Sequence, residues 1–239
     1  MIATFALLLL AHVLADFVLQ PRQMAFGKRD PLLLVLHGAI VLATAQVALG
    51  QFTAPSLLAL ALAHMAIDAA KAHLLSPSLP AYLGDQALHV VTLLAVSVLH
   101  PDLFATGLWA SYPVWPAAGA LLAGALTATL AGGHAVGLLM SRFADADLPP
   151  GLADGGRVIG LLERGLIFTL VLVGQPGGIG FLIAAKSVLR FESTSRDQRA
   201  GEYVIIGTLA SFGWALVAAY ATLALLEALP PLGILPALP

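Results

Sequence analysis

The sequence predicts an all-α protein, a polytopic membrane bundle of about eight transmembrane helices, and three observations carry that expectation. Hydrophobic residues make up 59% of the 239-residue chain, charged residues 10%, and the mean hydropathy is +0.94; a soluble domain carries roughly 25% charged residues. Several apolar runs approach the roughly 20 residues that a helix needs to cross a bilayer, with Pro, Gly and charge clusters between them. All eleven Lys and Arg residues fall on one side of an eight-helix arrangement, as the basic bias of cytoplasmic loops requires.

Taken in order, the first span is 2–20. It lacks a basic leading region and a convincing small-residue cleavage site, so it reads as a membrane helix and not as a signal peptide. Spans 31–50, 53–75 and 84–100 follow, each entered through a proline or a polar cluster. A long span at 113–140 precedes 157–174. Span 177–191 opens on G-G-I-G and is short enough for a half-helix or re-entrant segment. The last span is 202–228, and the proline-rich 229–239 forms an irregular tail, since proline supports neither helix nor ladder. The whole of 1–239 reads as a single integral membrane domain, with 1–50 and 53–100 as repeated hairpins and 113–228 as the C-terminal helices.

Arg22, Lys28 and Arg29 follow the first span and Lys71 ends the third. Arg142, Arg157 and Arg164 surround the start of the sixth, and Lys186, Arg190, Arg196 and Arg199 close or follow the seventh. This places both termini outside. A net charge of −2 argues against nucleic acid as a partner, and the absence of cysteine excludes disulfides and thiolate chemistry.

The chemistry lies in a duplication. L-A-H-V-L-A-D carries His12 and Asp16, and 52 residues later L-A-H-M-A-I-D carries His64 and Asp68. His37 and His89 each follow their copy's first histidine by 25 residues. Ionisable groups in hydrocarbon are costly and mark function or a partner. Residues four apart share a helix face, so His12, Asp16 and Gln20 form one stripe. His64, Asp68 and Lys71 form a second, and Asp85 with His89 a third. The topology puts all of them in the inner halves of their helices, and the duplication implies two hairpins related by a pseudo-twofold axis. Imidazole and carboxylate on facing helices are the ligand set of divalent zinc, manganese or iron. A lone His-x-x-x-Asp would equally serve as a clasp between helices; the repetition favours a metal.

Lys186 and Arg190, one turn apart, either anchor the inner interface or receive an anion. Glu163 is a candidate general base, with a salt bridge to Lys186 or Lys71 the simpler role. Tyr203 is a candidate for lining the same cavity, Thr208 and Ser211 for helix packing.

The motifs H-V-L-A-D-F-V-L-Q, H-M-A-I-D-A-A-K, D-Q-A-L-H, A-A-K-S-V-L-R-F and E-Y-V-I-I-G-T-L-A-S resemble an uncharacterised family of bacterial multi-pass inner-membrane proteins, a domain of unknown function. The resemblance covers the first 90 residues and roughly 156–215. It implies a bacterial cytoplasmic-membrane location and no activity.

The expectation is an intramembrane metal-dependent hydrolase or transferase. A divalent ion is held by His12, Asp16, His64 and Asp68, with His37 and His89 as further ligands. Asp85 and Glu163 are the catalytic candidates, while Lys71, Lys186, Arg190 and Tyr203 bind an anionic, amphipathic or lipid-linked substrate from the bilayer. The rivals are a proton- or ion-coupled transporter using the same cluster, and a non-catalytic partner or sensor.

Overall fold

The computed structural model describes residues 1–143, 154–194 and 198–233, with backbone alone at 189–194. Arg196, the side chain of Arg190 and residues 234–239 of the expected tail lie outside the described residues. Among the described residues every regular element is helical: α1 (Ile2–Phe17), α2 (Arg22–Phe26), α3 (Pro31–Leu49), α4 (Pro55–Leu74), α5 (Leu79–Leu99), α6 (Trp115–Leu126), α7 (Gly132–Met140), α8 (Gly155–Leu172), α9 (Gly177–Thr194) and α10 (Gln198–Glu227). A π-helical turn, Thr127–Ala131, joins α6 to α7.

Eight long helical stretches therefore fall where the eight spans were expected, and five of them are long and apolar enough to cross a membrane: Pro31–Leu49, Pro55–Leu74, Leu79–Leu99, Trp115–Phe143 and Gln198–Glu227. The other three fall short for identifiable reasons. Helix α1 has 16 residues, α8 carries Arg157, Glu163 and Arg164 within its 18, and the apolar part of α9 is Gly177–Val188. Helix α9 runs for 18 residues, with its apolar part confined to the glycine-rich first two thirds.

Local chemistry fixes the ends. Asp30 caps α3, its carboxylate accepting the Leu32 N–H at 2.8 Å, and Pro31 occupies the first turn where no N–H is needed. Gly50 closes α3 in the left-handed region at φ 67°; a Cβ there would also press on the Leu108 backbone nitrogen. Ser78 caps α5 with Pro80 in its first turn, so that helix begins at Leu79, ahead of the expected 84. The expected stripe of His12, Asp16 and Gln20 is cut short because α1 ends at Phe17 and Gln20 lies beyond it.

The chain groups into two compact units. The first comprises residues 1–126 and 224–232, the second 127–223 and 233–239. In the first unit α1 is central and packs on α3, α5 and α6, while α3 packs on α4 and α4 on α5. Leu7, Leu8, Ala45, Leu49, Leu57, Leu60 and Leu93 form an apolar core at one end of this bundle. At that same end the Met1 amino group and Thr4 hydroxyl donate to the Pro101 carbonyl, joining the start of α1 to the end of α5. The polarity is inverted relative to a soluble bundle: Leu32, Val35, Leu62, Leu88 and Val91 face outward, while His and Asp residues are buried. Such a surface suits a hydrocarbon surround.

In the second unit the Arg164 guanidinium is buried. It donates to the Thr129 carbonyl from Nε at 3.1 Å and Nη2 at 3.0 Å, and to Ser211 Oγ from Nη1 at 3.0 Å. Thr129 lies in the π-helical turn, a geometry that re-aims carbonyls away from their helical partners. Gly132, Gly133 and Gly160 surround the guanidinium so closely that a Cβ on any of them would crowd it. Ser211, read from sequence as a packing residue, is thus also an acceptor. Replacing Arg164 with Met should lower stability by about 3 kcal/mol or more, because it removes charge-assisted bonds and leaves a buried carbonyl unmet. Thermal unfolding in detergent reads this, and a transition unchanged within error would refute it.

Candidate metal centre

Four helices of the first unit bring the duplicated residues to one place. His12 and Asp16 come from the last turns of α1, His37 from the second turn of α3, His64 and Asp68 from the second half of α4, and Asp85 and His89 from the first half of α5. Antiparallel succession puts all of these at the end opposite the leucine core.

The centre of the cluster is formed by four atoms. His37 Nε2 and His64 Nε2 are 3.0 Å apart. Asp16 Oδ1 is 3.2 Å from the first and 3.3 Å from the second; Asp68 Oδ2 is 3.4 Å from each. These side chains are between 0 and 6% exposed. Neighbouring ligands of a tetrahedral ion with bonds of about 2.0 Å stand about 3.3 Å apart, and the His–His and four His–Asp separations bracket that value. The donors are two imidazole nitrogens and two carboxylate oxygens, a set suited to zinc, manganese or iron.

His37 stands among the central four, and His12 lies beside them: His12, Asp16 and His64 each offer a ligand atom within 4.8 Å of one another, as do His37, His64 and Asp68. His12 Nδ1 is 3.9 Å from Asp16 Oδ2, and its Nε2 meets Gln86 Oε1 at 3.2 Å. Contacts between helices are shorter than the His–Asp spacing within α1 or α5, where His89 Nδ1 stands 3.8 Å from Asp85 Oδ1. The histidines also stack: His64 and His89 have ring centroids 4.0 Å apart, and His12 and His89 5.1 Å apart.

A close approach of α3 and α4 makes the His37–His64 contact possible. Gly38 and Met65 each follow one of these histidines, and a Cβ on Gly38 would collide with Met65 Sδ and Cγ. The Met65 side chain therefore occupies the space that a side chain at position 38 would need.

Two lysines complete the electrostatics. Lys28 Nζ is 2.6 Å from Asp68 Oδ1, and Lys71 Nζ is 2.7 Å from Asp85 Oδ2. Arg29 donates to the Ala72 carbonyl at 2.8 Å, which fastens the α2–α3 connection to the end of α4 and brings Lys28 inward. Three carboxylates against two ammonium groups leave one negative charge when the histidines are neutral, a balance that accepts a cation. Buried carboxylates without such compensation are strongly unfavourable.

Lys28 and Gln86 are the functional neighbours that sequence reasoning missed. Lys28 reads as one more loop cation, because nothing in the pattern shows that its loop folds back. Gln86 sits beside Asp85 in D-Q-A-L-H and spans to Asp16 at 3.5 Å and Asp85 at 3.2 Å; an amide in an apolar window was the available signal. Neither has a counterpart in the duplication, where Pro80 and Leu34 occupy the matching positions.

Glu163, Lys186 and Tyr203 belong to the second unit. Lys186 Nζ meets Glu163 Oε2 at 2.7 Å, as the simpler reading of Glu163 expected, and lies 5.6 Å above the Phe212 ring. Tyr203 is half-buried. His73 and His100 are exposed at helix ends.

Residues 4–111 match the model of a family described as a protein of unknown function, DUF3307. The match takes in α1 to α5, and with them every residue of the cluster, and stops before the motifs at 156–215. No curated protein and no solved structure matches the chain.

Proposed function

We propose that the first unit holds a divalent metal ion on Asp16, His37, His64 and Asp68, and that the protein is an intramembrane metal-dependent hydrolase or transferase acting on an anionic, amphipathic or lipid-linked substrate. The observation that carries this reading is the convergence of two imidazole nitrogens with two carboxylate oxygens, each oxygen 3.2–3.4 Å from both nitrogens and the nitrogens 3.0 Å apart. A divalent ion polarises an oxygen or activates a water wherever its coordination leaves a position open.

The distribution of polarity favours an enzyme over a transporter. A transport route needs polar groups along its length, yet beyond the cluster the bundle is filled by the leucine core around Leu7, Leu49, Leu57 and Leu93. Thr4 and Ser97, buried at the far end, spend their hydroxyls on backbone carbonyls. Access is instead from the end where Lys71, with a side chain 33% exposed, covers Asp85. By the distribution of basic residues that end is cytoplasmic.

Elemental analysis of the purified full chain, prepared without chelator, tests the reading. Stoichiometric zinc, manganese or iron in the wild type, lost in His64→Ala and Asp68→Ala, is the expected result. Absence of metal after purification, with no uptake on adding any of the three, would overturn it.

The orientation has its own check. Because the chain lacks cysteine, Ser76→Cys between α4 and α5 and Ser111→Cys between α5 and α6 are unique reporters. In intact cells a membrane-impermeant maleimide should label position 111 and spare position 76; the opposite pattern would put the centre on the outer side.

A further inference from the structure

The central four atoms do not use all the ligating groups of the cluster. Asp68, Asp85 and His89 each offer one ligand atom, all within 4.8 Å of one another. His89 is 1% exposed, and among the described residues neither of its ring nitrogens has a hydrogen-bond partner; Asp85 Oδ1 is equally without one there. A fully buried imidazole with both nitrogens unmet is costly, and its ring lies 4.0 Å from that of the ligand His64. We infer that Asp68, Asp85 and His89 form a second divalent-cation position, so that the centre is dinuclear, with Asp68 contributing Oδ2 to the first ion and, once Lys28 turns away from it, Oδ1 to the second.

The two positions differ in kind. The first has four protein donors and is closed. The second has three, which leaves coordination free for water or substrate, the feature that separates catalytic from structural sites. Neighbouring ligands on an octahedral ion stand about 3.0 Å apart at bonds near 2.1 Å, so an ion would draw the three groups inward from their present spread, His89 Nδ1 and Asp85 Oδ1 from 3.8 Å. Paired ions in hydrolytic sites stand roughly 3.5–4 Å apart, a span that one carboxylate bridges. Lys71, now on Asp85 Oδ2 at 2.7 Å and 33% exposed, is free to turn outward when an ion takes that carboxylate. It then presents a cation beside the open position, where an anionic substrate would bind. This inference rests on the proposed metal reading and adds the position at which substrate meets metal.

The test uses the full chain in detergent, stripped of metal, reloaded with excess Mn²⁺ and desalted. Manganese suits a site rich in carboxylate and reports its own nuclearity by electron paramagnetic resonance. The wild type is expected to retain two ions per chain with an exchange-coupled spectrum. His89→Ala is expected to retain one, with the six-line spectrum of an isolated ion, and His89→Gln, which keeps volume, should behave alike if the alanine variant aggregates. One ion per chain with a six-line spectrum in the wild type would overturn the second position and leave the first standing. Two coupled ions in both His89 variants would also overturn it. No retained ion in the wild type would overturn both.

Discussion

Replacing Asp68 by asparagine is expected to weaken zinc binding by at least about 100-fold, since changes outside the ligand shell alone cost 10–100-fold. Asparagine keeps the volume of the side chain and one of its oxygens, so packing within α4 is preserved. What it loses is the charge that faces His37 and His64 at 3.4 Å and Lys28 at 2.6 Å. Lys28 lies in the connection before α3 with 11% of its side chain exposed, close enough to the surface to turn toward water. The fold is therefore expected to survive where the ion does not. Competition against a zinc indicator reads the affinity, and Asp102→Asn, in the exposed turn after α5, is the matched control. An unchanged affinity in Asp68→Asn would remove this residue from the metal.

The second large effect concerns a residue with no polar atom in its side chain. Gly38→Leu is expected to abolish metal binding and to destabilise the protein by about 1–3 kcal/mol, the usual cost of forcing extra atoms into a packed interior. Even Gly38→Ala should reduce affinity roughly tenfold, because its Cβ meets Met65 at Sδ and Cγ and pushes apart the helices that carry His37 and His64. Gly38→Ala combined with Met65→Ala reopens the space and should recover most of the lost affinity, a coupling that a double-mutant cycle isolates. Additive losses in the double variant would show that the Gly38–Met65 approach does not set the imidazole separation.

Much of this arrangement is legible in the sequence because membrane proteins keep few ionisable groups in their helices, and those few are conspicuous. The duplicated His-x-x-x-Asp, the histidines 25 residues on and the alternation of basic loops together locate one polar layer. Helical periodicity then assigns each residue to a face. What periodicity does not give is the distance between helices. His37 stood in the sequence as a follower of His12, yet it is a central donor, because Gly38 lets α3 approach α4. His12 stood as a leading ligand, and it keeps Nδ1 toward Asp16 while Gln86 takes its Nε2. Lys28 was hidden for a different reason: a loop has no period, and Arg29 holding the Ala72 carbonyl is a contact between residues 43 apart. The end of α1 was similarly hidden. A polar stripe drawn through Gln20 presumes one more turn than the helix has.

The two halves of the duplication are also less alike in contact than in spelling. Lys28, Lys71, Asp85 and Gln86 have no counterparts 52 residues away, where Pro80, Leu19, Leu33 and Leu34 stand. These unmatched residues gather around the carboxylates and around His12. The duplication supplies a scaffold of histidines and aspartates; the unshared polar residues decide how their free ligand atoms are arranged.

X-ray absorption at the zinc edge, on protein loaded with a single equivalent of zinc, examines the central four atoms most directly. The expected first shell is four nitrogen or oxygen neighbours at about 2.0 Å, with the outer-shell scattering of two imidazoles, from His37 and His64. A first shell without imidazole, or zinc with the six-coordinate oxygen shell of a loosely held surface ion, would contradict the account.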